Sequence, residues 1–501
     1  HSMGGLLSRR YLLKYPDHHV AKLITIGSPW LGAPKSLKGL ETGDVLDLQA
    51  WWAPVVNAVF KAILAEFPSA AQLVPSRGAF ALGQRPLAEE GWDMNGNDLP
   101  VETYDRYADL VEMLDGRYAN APGTANRRFH DTPGQDDWRS VDLGVQFYHV
   151  VGIQSRERTI GAMRAVEKTA CTRLFGVSFC RVTYRKFEPD LTIGDGTVPL
   201  LNAERIGAGL NLNDPNATIW EVDEQAGDGS ADHSEMTANA RVHACILVAL
   251  QARGACALHE APNAATAPNA PAQTRPPPLP TTYLDATGVQ GVTVADALGN
   301  TTDTTSGTFS AVVPDVTFER MGDAAYLFML PTDGTYTVTL HTGADPFLLD
   351  IRQGTSSATI RAVRYLDLAL PANVEAIVRL TPQGIEQLRY DSDGDGTFDK
   401  TVTPTIVTGN DDVDPPIVTA SVNGPLEART LAVNVSDGGA GVRGVYYSLD
   451  GETFQPYTAP LTIDGLQTPN VLLFADDNVA NRSSVLDVVI AHRQVLPIVQ
   501  R

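Results

Sequence analysis

The sequence predicts an α/β half followed by an all-β half, and three observations predict it. Before residue 256, the predominantly apolar runs Val20 to Ile26 and Val145 to Ile153 read as strands, the first of the buried, parallel-sheet kind, and helical segments lie between them. Residues 257–282 are Ala/Pro-rich and carry Pro276-Pro277-Pro278, the composition of a semi-rigid linker. Beyond it come short alternating strands, such as Thr335 to Leu340, with turn residues between them: the grammar of two β-sandwiches, over 283–400 and 412–495.

Composition narrows the partners. A net charge of −21, with most of the excess acid beyond residue 256, argues against nucleic acid and for a solvated exterior. Cys171, Cys180, Cys245 and Cys256 lack the spacing of a zinc site. They fit either two short-loop disulfides, Cys171–Cys180 and Cys245–Cys256, in an exported protein, or buried thiols. No stretch is long and apolar enough to span a bilayer, and no signal peptide is legible.

The elements follow in order. His1-Ser2-Met3-Gly4-Gly5 precedes Leu6, Leu7, Tyr11, Leu12 and Leu13, which repeat at helical spacing. A serine among small residues at a helix start suits a tight strand-to-helix turn that lifts the hydroxyl clear of the backbone, with flanking glycines easing the bend. There the Met3 N–H can face a developing oxyanion. Taken alone, the same serine is an ordinary helix N-cap. The Val20 strand ends in the loop Gly27 to Pro34. From about 36 to 140 the chain reads as irregular, helical and polar-rich, and within it Ala50 to Phe67 is amphipathic, with Trp51, Trp52, Val55, Val56, Val59, Phe60, Ile63 and Leu64. That segment is either a lid that meets a lipid surface transiently or a helix packed on the core. The Val145 strand is followed by a spacer bearing Cys171 and Cys180, the loop Ile193 to Pro199, the strand Ala217 to Val222, a polar loop reaching His233, and a helix from Glu235 to Arg253.

Ser2, Asp195 and His233 occur in the chain order of the α/β-hydrolase fold, here entered at the nucleophile elbow. The chemistry needs all three. A serine hydroxyl is a poor nucleophile until a neutral imidazole takes its proton, and the imidazole needs a carboxylate to hold its tautomer. Singly, Asp195 reads as a turn residue and His233 as a solvated one. His149 falls inside a strand and reads as a core residue, and His243 falls inside the last helix. Asp190 and Asp232 are the alternative acids.

These pieces resemble the lecithin:cholesterol acyltransferase family and the related inositol-deacylase-like lipases. The resemblance covers 1–256 and rests on His1-Ser2-Met3-Gly4-Gly5, Leu23 to Pro34 (LITIGSPWLGAP), Leu73 to Ser76, Gly194 to Pro199 (GDGTVP) and the His233 loop. It implies an acyl-enzyme mechanism on a lipid or other ester, with Ser2 as nucleophile, Asp195 as acid, His233 as base and Met3 as an oxyanion donor, and makes the region from about 36 to 140 the family's cap and lid. No organic cofactor or catalytic metal is implied. The first glycine of the elbow and every earlier strand are missing, so the sequence reads as part of a longer enzyme, inactive as it stands. The competing reading is a cell-surface binding or adhesion protein with a degenerate hydrolase-like domain.

In the β half, Asp391, Asp393, Asp395, Thr397 and Asp399 follow the spacing of a calcium loop, in which alternate oxygens converge on one hard cation. Val402 stands where a bidentate glutamate would complete it, so an acidic turn without an ion is the other reading. The segment with Tyr447 to Gly451 and Asp477 to Asn481 resembles the immunoglobulin-like repeats of bacterial extracellular proteins. That resemblance implies a secreted or cell-surface setting, with cell-surface or polysaccharide contact through the β modules.

Overall fold

The computed structural model describes the chain apart from residues 44–52, 82–83, 93–101, 105, 133–143, 175–176, 205–216, 252–253, 262–275, 306–312, 323, 356–358, 409–414, 438–441, 452–453, 478–481 and 492–501. The first sheet has the strand order Lys22–Ile26, Gln146–Ile153, Ala217–Asp223, His259–Glu260. The first three strands are parallel, with Lys22 beside Gln146 and Phe147 beside Ala217. Parallel neighbours cannot be joined by tight hairpins, so long connections run between them. Val150 and Val151 are fully buried in the middle strand, as its apolar run requires. The helix Met3–Lys14 turns Leu6 and Leu12 inward and leads into the edge strand Lys22–Ile26.

His259–Glu260 corrects the linker reading. It pairs antiparallel with Trp220 and Glu221, and the flanking Leu258 and Ala261 are buried. The Cys245–Cys256 disulfide ties this return to the preceding helix. Most of the Pro-rich stretch lies outside the described residues, and strand resumes at Thr281–Thr287. The helix expected over Glu235 to Arg253 is two elements, a 3-10 turn Glu235–Ala238 and a helix Ala240–Gln251. Asn239 divides them, because its side-chain oxygen accepts from the N–H groups of Arg241 and Val242 and so caps the second element.

The larger correction concerns the spacer. Thr159–Leu174 and Val177–Thr192 form a long antiparallel hairpin, with Cys171 opposite Cys180 in the ladder. It belongs to a ten-stranded sheet. On one side it carries Leu87–Trp92 in parallel, and on the other Gly322 of Thr317–Gly322 pairs with Lys186. The sheet continues through Ala325–Pro331, Thr281–Thr287, Phe347–Gly354 and Thr359–Leu368 to Ile406–Thr408, past the expected boundary at 400. Leu37, Leu40, Leu110 and Leu114 of the cap share one core with Met321, Leu327 and Met329. Two buried ion clusters reinforce the junction. Lys38, fully buried, and Lys35, 2.5 Å away, both contact Glu319, while Lys186 lies 2.7 Å from Asp285. Burial pushes the Glu319 carboxyl up, but the two ammonium groups outweigh it and hold it down at about 2.

The opposite face of this large sheet shares a core with a second sheet, built on Gly291–Asp296, Tyr336–His341 and Glu375–Thr381; Leu284, Phe328, Val338, Leu349 and Val378 fill it. Further on, Ile417–Asn423 and Arg429–Ser436 face Val442–Ser448 and Asn470–Asp477 across Leu431, Val471 and Leu473. In the cap, the expected amphipathic segment is the helix Ala53–Glu66. Val59 and Ile63 are exposed and Leu64 packs on the core, so both faces of that reading are present, while Trp51 and Trp52 lie outside the described residues.

Candidate functional site

The site forms where the parallel strands end. Ile26 and Ile153 terminate neighbouring strands, and the loops beyond them converge. Ser2 sits at the start of the helix Met3–Lys14 with φ 55° and ψ −134°, a conformation rare for a residue with a Cβ. Its N–H donates to the Ile26 carbonyl at 2.9 Å, which ties the turn to the strand end. Such strain, held by surrounding contacts, is what projects a hydroxyl out of a sharp turn.

Asp195 is 1% exposed. Its Oδ1 accepts the backbone N–H groups of Thr197 (3.0 Å) and Val198 (2.7 Å), so the Gly-Asp-Gly-Thr-Val sequence folds around its own carboxylate. That leaves Oδ2 for His233 Nδ1, at 2.7 Å. His233 Nε2 lies 2.9 Å from Ser2 Oγ. The His233 N–H donates to the Asp195 carbonyl at 2.7 Å, so acid and base are held by backbone as well as side chain. Gly27 closes the site from beneath: a Cβ there would meet Asp195 Oδ2 and His233 Nδ1 at 3.0 Å. With Nδ1 donating to Asp195, Nε2 is free to accept the serine proton.

The alternatives lie elsewhere. Asp190 is exposed on the hairpin, 4.0 Å from Arg164. Asp232 accepts from Ser234 N–H and Oγ in its own loop. His149 is fully buried, 2.8 Å from Thr25 Oγ1, and burial pushes its imidazole down to about 3. His243 bonds the Thr237 carbonyl on the surface. Met3 opens the helix, so its N–H has no partner within the helix. Sequence reasoning missed His1 and Gly27 as parts of this site; the only signal was their adjacency to Ser2 and to the Val20 strand.

In the β half, Asp391, Asp393 and Asp395 bring one carboxylate oxygen each within 4.8 Å of one another. Asp391 accepts from the N–H groups of Gly394 (2.7 Å) and Gly396 (2.8 Å), which hold its carboxyl below the usual range. Asp399 accepts instead from Ser392, and Thr397 donates its N–H to Asp395. The first three residues thus suit a hard cation, and Asp399 is turned to the loop's own backbone. Among the described residues, no helix is long and apolar enough to cross a membrane.

The family model for lecithin:cholesterol acyltransferase matches residues 1–115, which include the elbow, the first strand and its loop. The matched segment is therefore of the kind found in lipid acyltransferases and hydrolases. No curated protein matches the chain.

Proposed function

We propose that this chain carries the catalytic apparatus of a serine-dependent lipid ester hydrolase or O-acyltransferase of the α/β-hydrolase type. One observation carries the reading: the hydrogen-bonded series Ser2–His233–Asp195, with distances of 2.9 and 2.7 Å, at the C-terminal ends of parallel strands. Ser2 Oγ attacks the ester carbonyl while His233 Nε2 takes its proton. The C–O bond to the alcohol then breaks as His233 returns that proton to the leaving oxygen. Asp195 orients the imidazole and stabilises the imidazolium, and the Met3 N–H stabilises the oxyanion. Water or an acceptor alcohol, deprotonated by His233, releases the acyl group.

The exposed Val59, Ile63 and Phe67 support transient contact of the cap with a lipid surface, and the Cys245–Cys256 disulfide supports export to an oxidising compartment. Calcium held by Asp391, Asp393 and Asp395 is proposed as a structural ion only, outside the catalytic chemistry.

The test is covalent labelling with a fluorophosphonate, which reports an activated serine without requiring turnover. The chain should label, Ser2→Ala should not, and Asp195→Asn should label about 10⁴-fold more slowly, because its imidazole is held in the wrong tautomer. An unlabelled chain would favour the adhesion-protein reading with a degenerate hydrolase domain.

A further inference from the structure

We infer that His1 is a positioning residue for His233. This rests on the serine-hydrolase reading of the site. The two imidazoles lie with ring centroids 4.6 Å apart, tilted by 46°. His1 Nε2 is 2.7 Å from the His233 backbone carbonyl. A carbonyl oxygen only accepts, so His1 is held as the tautomer that carries its proton on Nε2. His233 is therefore gripped through both of its backbone polar groups: the Asp195 carbonyl takes its N–H at 2.7 Å, and His1 donates to its C=O. Asp195 fixes the rotation of the His233 ring through Nδ1. His1 fixes where the backbone carrying that ring sits relative to the elbow, since His1 is covalently joined to Ser2. The nucleophile and the base are thereby linked by a short bridge, independent of the sheet, that sets the 2.9 Å approach of Nε2 to the serine oxygen. Proton transfer is sensitive to that separation, and misplacement of reacting groups by a fraction of an ångström slows it.

Three substitutions separate the donor from the ring. In His1→Gln the amide nitrogen occupies the position of Nε2 and still reaches the carbonyl. In His1→Asn the amide nitrogen sits where Nδ1 was and falls short. His1→Phe keeps the ring contact and removes the donor. The maximal rate of fluorophosphonate labelling should fall roughly five- to tenfold in His1→Asn and His1→Phe, with the half-saturating probe concentration unchanged. It should return close to the original in His1→Gln, and the unfolding temperature should be the same in all four proteins. Equal rates in all four, or a Gln variant as slow as Phe, would overturn the inference. The ¹⁵N spectrum of the imidazoles gives a readout that needs no reactivity: His1 should show a single tautomer protonated at Nε2. If the parent chain does not label at all, the hydrolase reading falls, and a His1 spectrum averaged over both tautomers would then overturn the bridge as well.

Discussion

The contact between the elbow helix and the loop Gly27 to Pro34 sets a test of the site. A Cβ built on Gly5 would sit 2.0 Å from Ser28 Oγ, 2.6 Å from Ser28 Cβ and 3.2 Å from Trp30 Cη2. Carbon atoms in contact stay about 3.5 Å apart, so Gly5→Ala forces a retreat of roughly 1 Å. Ser28 is fully buried and its side chain is short, so the helix must move. Ser2 begins that helix, so its 2.9 Å approach to His233 opens beyond hydrogen-bonding distance. Overpacking of this kind costs about 1–3 kcal/mol of stability, and a misplacement of 1 Å costs about 10²-fold in rate. Gly4 has nothing within 4 Å of its Cβ position among the described residues, so Gly4→Ala should leave the labelling rate within about threefold of the parent. Ser28→Gly in the Gly5→Ala background removes both close atoms and should restore most of the rate. Labelling kinetics and thermal unfolding measure all four proteins. A Gly5→Ala chain that labels as fast as the parent and melts at the same temperature would refute the reasoning.

Further expectations follow from the buried charges and the shared core. Burial pushes His149 down to about 3 and His130 down to about 4, so both stay neutral in the fold. The unfolded chain takes up those protons first, below about 6.5. Their contribution is therefore complete above pH 6.5 and declines as the pH falls towards 4, approaching about 1.4 kcal/mol per pH unit for each histidine. Denaturant titrations across pH 7 to 4 should show the slope, and His149→Gln should remove about half of it; an unchanged slope would refute this account. Lys38→Met leaves Glu319 with Lys35 alone in a buried setting, and chemical denaturation should show a loss of about 3 kcal/mol that Lys38→Met with Glu319→Leu largely recovers. Residues 1–261 expressed alone should be insoluble or bind hydrophobic dye, because Leu37, Leu40, Leu110 and Leu114 lose Met321, Leu327 and Met329; a soluble chain with a sharp melt would refute that.

The parallel strands were legible because burial on both faces leaves a mostly apolar run, as in Phe147 to Ile153, where His149 is the one basic residue. The three residues Ser2, Asp195 and His233 were legible for a different reason: each stands in a turn whose glycines and small residues the geometry demands. The long hairpin was not. In Val177–Thr192, Arg181, Arg185 and Lys186 break up the apolar residues, so the stretch reads as a polar spacer, whereas its backbone forms a continuous ladder with Thr159–Leu174. Nor does any local pattern announce that Lys186 will pair with Gly322, or that Lys38 will be buried against Glu319. Those partners are far apart in sequence, and only the folded chain brings them together. At the elbow the motif glycine is Gly4, yet the steric demand falls on Gly5, which becomes visible only once the packing of Ser28 and Trp30 is known.

The sheet that runs from the cap hairpin into the strands beyond residue 281 bears on how this chain can be rearranged. A Pro-rich connection alone would have made the β half a detachable tail, free to be exchanged by recombination without touching what precedes it. Hydrogen-bonded strands and a common core make the first β layer instead an inseparable wall of the cap. A whole-module exchange needs a boundary that no ladder crosses, and among the described residues such a boundary lies after Ile406–Thr408, so the terminal module can vary independently of the sheets that precede it.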